Sequence, residues 1–191
     1  IPIQDNIFDQ FIMHTLTRKN VYIVDKTNPL LSKKFPHVIQ NYYQDVIGCM
    51  KSGISKLNKY QKIRFINACQ KPHILQIRDG LKAFASSHNF EFETRSSIEK
   101  IKINIGDLYI VINDSDLVAL IERCNHKNME IGRDIGIISY NETQLKKVIA
   151  NGITTLSTDF QLMGKTISGM IINKAPKKIY NKAELTIRNS I

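Results

Sequence analysis

Residues 134–168 read DIGIISYNETQLKKVIANGITTLSTDFQLMGKTIS. The apolar run from Ile135 to Ile138 stops at Tyr140-Asn141-Glu142, a cluster of hydrogen-bonding side chains. A short helix-like piece follows, then Gly152-Ile153-Thr154-Thr155, and Asp159 opens a second helix. A near-continuous apolar strand is what a parallel sheet requires when helices cover both of its faces. A strand that ends in polar side chains, followed by a segment that crosses away, builds one wall of a ligand crevice in an open α/β sheet.

The same pattern recurs upstream. NVYIVD at 20–25 reads as a strand ending in Asp25, and IRFIN at 63–67 ends in Asn67, with Gln70 and His73 close behind. DLYIVI at 107–112 runs into Asn113-Asp114. Helical spacing of apolar residues marks 6–17, 41–58 (Val46, Ile47, Met50, Ile54, Leu57), 73–88, 114–127 and 159–172. FEFE at 90–93 and ELTIRNS at 184–190 read as strands, and 26–37, with Pro29 and Pro36, as a loop. Strands alternating with helices imply an α/β chain with parallel sheets flanked by helices.

Composition narrows the function classes. The net charge of +10 invites a nucleic-acid reading. The lysines, however, fall in isolated pairs such as Lys33-Lys34, Lys146-Lys147 and Lys177-Lys178, with no arginine stripe and no aromatic platform. Cys49, Cys69 and Cys124 lie far apart without a C-x-x-C, which fits neither a disulfide framework nor a zinc site and suits a reducing cytoplasm. No apolar run approaches the roughly 20 residues of a membrane helix. Gly164-Lys165-Thr166 lacks the earlier glycine of a phosphate loop and sits in a helical pattern. No nucleophile with its base emerges, so catalysis is not indicated, and neither a cofactor nor a metal is expected.

The candidate ligand-binding residues are the strand ends: Asn113, Asp114, Tyr140 and Asn141, with His73 and Asp25. Amides and carboxylates offer paired donors and acceptors suited to vicinal hydroxyls, and an aromatic face packs on the apolar side of a sugar ring. Capping of the following helices is the competing role for Asn113, Asp114 and Asn141.

The stretch VINDSDLVALIERCNHKNMEIGRDIGIISYNETQLKKVIANGITTLSTDFQLMGKTISGMI resembles the effector-binding domain of LacI/GalR-type transcription regulators. A strand ending in Asn-Asp, a turn leading to a strand with a Tyr-Asp-like end, a Thr-Thr crossing and a helix with an early Met-Gly carry the likeness. The terminal TIRNS and Gly80 within HILQIRDGLKAF extend it. The nearest flavour is the subgroup with a GntR-type winged helix in front. The resemblance implies a two-lobed, periplasmic-binding-protein-like fold whose N-terminal lobe is incomplete in this chain. On that pattern 1–40 and 153–176 belong to the N-terminal lobe, and 41–152 and 177–191 form the C-terminal ligand-binding lobe. It further implies a small-molecule effector, expected to be a carbohydrate. A homodimer and operator DNA, bound through an N-terminal domain outside this chain, complete the expected partners. Three positions depart from the pattern: Asn141 stands for the usual Asp, Ser139 for the usual Gly, and Ile77 where an Arg is expected, with Arg78 about 100° away on the helix. A solute-binding protein of a transport system is the alternative.

Overall fold

In the computed structural model the described residues are 11, 14, 15, 21–26, 29–99 and 101–191. The helix expected at 6–17 lies almost wholly outside them. The first elements are β1 (Ile23–Asp25), α1 (Pro29–Lys34), β2 (His37–Ile39), α2 (Tyr42–Ser52), α3 (Ile54–Leu57), β3 (Lys62–Ile66), α4 (Pro72–Ser87) and β4 (Glu91–Arg95). There follow β5 (Asp107–Val111), α5 (Asp114–His126), β6 (Gly136–Tyr140), two short 3-10 turns, β7 (Thr154–Thr158), α6 (Phe160–Ile172), β8 (Lys178–Tyr180) and β9 (Ala183–Thr186). The chain divides into two units, Ile1–Asn41 with Thr158–Lys182 and Tyr42–Ser157 with Ala183–Ile191.

The larger unit holds a six-stranded sheet in the order β4-β3-β5-β6-β7-β9, with β4 to β7 parallel throughout. Strand residues alternate between two cores. Leu108, Ile110 and Ile138 pack with Val46, Met50, Ile77 and Phe84 of α2 and α4. Tyr109, Val111 and Ile137 pack with Leu117, Leu120 and Cys124 of α5. Helices therefore cover both faces, which explains why β5 and β6 are buried at every position. Each such Ile or Leu contributes about 1.5–3 kcal/mol of burial. Arg64 on β3 is buried between Asp107, at 2.5 Å, and Glu93 on the neighbouring strands.

The smaller unit has a three-stranded parallel sheet, β1-β2-β8. Val21, Ile23, Leu31, Phe35 and Ile39 fill one cluster, and Val38 packs with Met163 and Met170 of α6 in another.

Several expectations are corrected. The helix expected over 41–58 breaks at Gly53, where a Cβ would stand 2.5 Å from Leu185 Cδ2. The expected loop 26–37 contains α1, which starts on Pro29 where the missing N–H costs nothing, and runs into β2. The crossing segment Thr154-Thr155 is part of β7, hydrogen-bonded beside β6, so 153–157 belongs to the larger unit. Conversely β8 pairs with β2, which places 177–182 in the smaller one.

Candidate functional site

Strand order decides where an open parallel sheet leaves a crevice. From β3 the chain moves outward to β4, then returns across β3 to β5. The carboxyl ends of β3 and β5 thus flank the point where the winding reverses, the position at which open parallel sheets leave a crevice. Asn67 follows β3, Asn113 follows β5 and Asn141 follows β6.

Register brings two of these together. Val111 pairs with Ser139, and Asn113 and Asn141 each lie two residues further on, at the same height beyond adjacent strands. Both side chains are exposed. Beneath them lies Lys146, only 3% exposed. Its ammonium donates to the carbonyls of Tyr140 and Asn141, each at 2.9 Å, and pairs with Asp114 at 3.1 Å. One buried cation therefore ties the end of β6 to the first turn of α5. Three contacts match the three donors of an ammonium, so the desolvation cost of burying it is offset. In the sequence Lys146 stands only as half of a scattered lysine pair. The signal that marks it is its place six residues beyond a buried strand end, in a segment whose other lysine, Lys147, is exposed.

Asn113 starts α5 in an extended conformation but makes no side-chain cap. Its amide nitrogen reaches Asp116 at 3.3 Å instead. Capping alone does not account for an asparagine here. Asp114 is two-thirds exposed. Asn141 has φ of 63°, a left-handed conformation that asparagine tolerates better than most side chains. The backbone requirement and an outward-facing amide are met by the same residue.

The other candidates lie differently. Tyr140 does not offer its ring at the strand end: the side chain is buried in the core shared with α2 and α4, because β6 alternation points it with Ile138. His73, in the first turn of α4, is half-buried with its ring 5.5 Å from that of Tyr42. Asn67 turns its amide onto the Cys69 carbonyl at 2.7 Å. Asp25 ends β1 in the smaller unit, with φ of 71°, and accepts from Gln40 at 2.5 Å.

Glu142 forms a two-pronged pair with Arg188, at 2.9 and 3.0 Å, and accepts a hydrogen bond from Thr155. Burial works against its charge, but the Arg188 and Thr155 hydrogen bonds and the Arg188 and Lys147 charges hold its carboxyl below the usual value. Burial pushes the Cys49 thiol up to about 12, aided by Asp45 and Glu184, and Cys124 up to about 11, so neither is a nucleophile at neutral pH. Among the described residues no group of His, Cys, Asp or Glu is placed to hold a metal, and no helix is long and apolar enough to cross a membrane.

A parallel sheet with helices on both faces, and with asparagines on adjacent strand ends above a buried cation, defines an α/β domain. Residues 58–191 match the family model for the periplasmic binding protein-like domain, and the chain belongs to that family. A relative is the HTH-type transcriptional regulator KdgR of Bacillus subtilis (strain 168), 22% identical over 135 residues. That match takes in 68% of this chain but only 38% of the relative's length. Among solved structures, the periplasmic binding ribose operon repressor protein from Lactobacillus acidophilus superimposes with a TM-score of 0.73 at 17% identity, over all of this chain and 72% of that one. A periplasmic binding protein/LacI transcriptional regulator from Alkaliphilus metalliredigens QYMF, complexed with D-xylulofuranose, gives 0.67 at 13% identity over 89% and 70%. These structures establish the shared fold. The expected GntR-type subgroup finds no support in these relatives, of which the Alkaliphilus metalliredigens protein is a LacI transcriptional regulator.

Proposed function

We propose that this chain is the effector-sensing domain of a bacterial transcription regulator and that its effector is a carbohydrate. The carrying observation is the convergence of Asn113, Asp114 and Asn141 over Lys146 at the carboxyl ends of β5 and β6. Two exposed amides at one height, with the Asp114 carboxylate on the same lysine, supply the donor and acceptor pairs that neighbouring hydroxyls need. His73 of α4 is a further ligand contact in this reading, and Asp25, at the end of β1, is the candidate that the smaller unit offers by itself. The ribose operon repressor and the D-xylulofuranose complex among the structural relatives favour a sugar.

The effector acts by binding one arrangement of the lobes better than another. Its leverage on DNA binding equals that difference in affinity and no more. In the full protein, a cytoplasmic homodimer, the DNA-binding heads are encoded ahead of Ile1, and a helix-turn-helix pattern there is the expected finding.

Calorimetry of the full-length protein against a panel of pentoses and hexoses tests the reading. Asn113→Ala and Asn141→Ala are each expected to weaken the tightest sugar by about 1–3 kcal/mol. Unchanged affinity in both variants removes these residues from the site.

A further inference from the structure

The smaller unit carries a hollow of about 820 Å³, lined by Tyr22, Pro36, Ile171 and Pro176 together with four lysines, Lys34, Lys174, Lys177 and Lys178. Tyr22 precedes β1, Pro36 precedes β2 and Lys178 opens β8, so the hollow lies at the amino ends of these parallel strands. Asp25 is at their opposite ends. The volume is within the range of small-molecule sites, roughly 300–1,000 Å³.

Its charge is one-sided. Among the described residues no carboxylate lines it. Asp25 and Asp159 are the only acidic residues among the described residues of this unit. Asp25 is about 10 Å along β1 from Tyr22 at strand rise. Asp159 is about 18 Å along α6 from Ile171 at helical rise. Lys178 is committed to the Lys33 carbonyl at 2.6 Å, while Lys174 and Lys177 are exposed. Lys174 adds an independent sign. It closes α6 with φ of 49°, and Ala175 N donates to the Met170 carbonyl at 3.0 Å. Glycine or asparagine is the ordinary residue at that helix-closing position. A lysine held there places a cation at the rim against the backbone preference.

We propose that this hollow binds a small organic anion with a compact apolar body. Its carboxylate, sulfonate or phosphate group sits on Lys174 and Lys177, and its body lies on Tyr22, Pro36 and Ile171. An apolar floor enclosed by cations fits such a molecule better than a polyanion, which needs a continuous track of charge. The site is separate from the strand-end site of the larger unit and stands or falls independently of it.

Fluorescence titration of the full-length protein with 8-anilinonaphthalene-1-sulfonate tests this, with neutral N-phenyl-1-naphthylamine alongside. The sulfonate is expected to bind at one saturable site per chain, more tightly than the neutral probe and less tightly as salt rises. The double variant Lys174→Asn/Lys177→Gln should weaken it about tenfold or more. Ile171→Glu, an exposed position, should abolish it with the melting curve intact. The proposal is overturned if the sulfonate finds no saturable site or if both variants bind it like the parent. Equal binding of inorganic phosphate, or displacement of the probe by random-sequence DNA, would equally exclude an organic-anion site.

Discussion

The two ends of β6 use one device for opposite purposes. At the amino end Ser190, fully buried, donates to the Ile137 carbonyl at 2.6 Å and accepts from Thr154 N at 2.7 Å, while its own carbonyl takes Ile137 N at 2.8 Å. At the carboxyl end Lys146 plays the same part for the carbonyls of Tyr140 and Asn141. Each end has a buried side chain that satisfies main-chain groups as the strand leaves the sheet. The difference lies in what faces outward. The C-terminal tail closes over the amino end, whereas the carboxyl end leaves Asn113, Asp114 and Asn141 exposed above the lysine. A polar strand end is thus a candidate binding end only when the polar groups on top are not already consumed by the fold.

The contrast can be broken at the closed end first. Gly132 has φ of 92°, and a Cβ there would stand 1.9 Å from the Asn189 carbonyl. Gly132→Ala is expected to lose about 3–5 kcal/mol of stability by forcing the tail off. Urea denaturation measures it, and a loss below about 1 kcal/mol would mean the tail is not held as described.

At the open end, Lys146→Met removes the donor from two carbonyls and leaves Asp114 without its cation. The expected cost is about 2–4 kcal/mol, with weaker sugar binding as Asn141 loses its anchor. Thermal melting with calorimetry separates the two effects. A stable variant with parental affinity would show that Lys146 positions nothing.

Glu142 links the ends through Arg188 of the tail. Its folded carboxyl titrates below the usual 4.5, so its contribution is complete above about pH 4.5 and is lost as pH falls through the lower folded value. Glu142→Gln should reduce the stability difference between neutral and acid pH, as followed by denaturation across that window. A parental pH profile would exclude the pair as a stabilising element.

The smallest effect is expected at Ser139. Its hydroxyl is fully buried without a hydrogen-bond partner among the described residues. Ser139→Ala should leave stability unchanged or raise it by about 1 kcal/mol. A clear loss by urea denaturation would reveal a contact of that hydroxyl.

What was readable in the sequence follows from how each segment is buried. IRFIN, DLYIVI and the run to Ile138 carry their burial in apolar residues, and β3, β5 and β6 fall where those runs predict. Thr154 to Thr158 is equally part of the sheet but carries hydroxyls. Those hydroxyls are satisfied by Arg188, Glu142 and residues 181–182, partners distant in sequence that no local pattern displays. The three-residue strands β2 and β8 are too short for any period to register. Among the proposed contacts, Asn113 and Asn141 stand out in the sequence as polar residues that end apolar runs. The Tyr140 ring packs in the core because alternation, rather than position at the strand end, fixes where it points. Lys146 was hidden because a buried lysine looks like a solvated one until its carbonyl partners are in place.

The most direct measurement is calorimetric titration of the full-length protein with its tightest sugar, comparing the parent with Asn141→Gly. Glycine keeps the left-handed backbone at little cost and deletes only the amide. The expected result is an affinity reduced about tenfold or more with the melting temperature nearly unchanged. Parental affinity in that variant would contradict a ligand site built on the ends of β5 and β6.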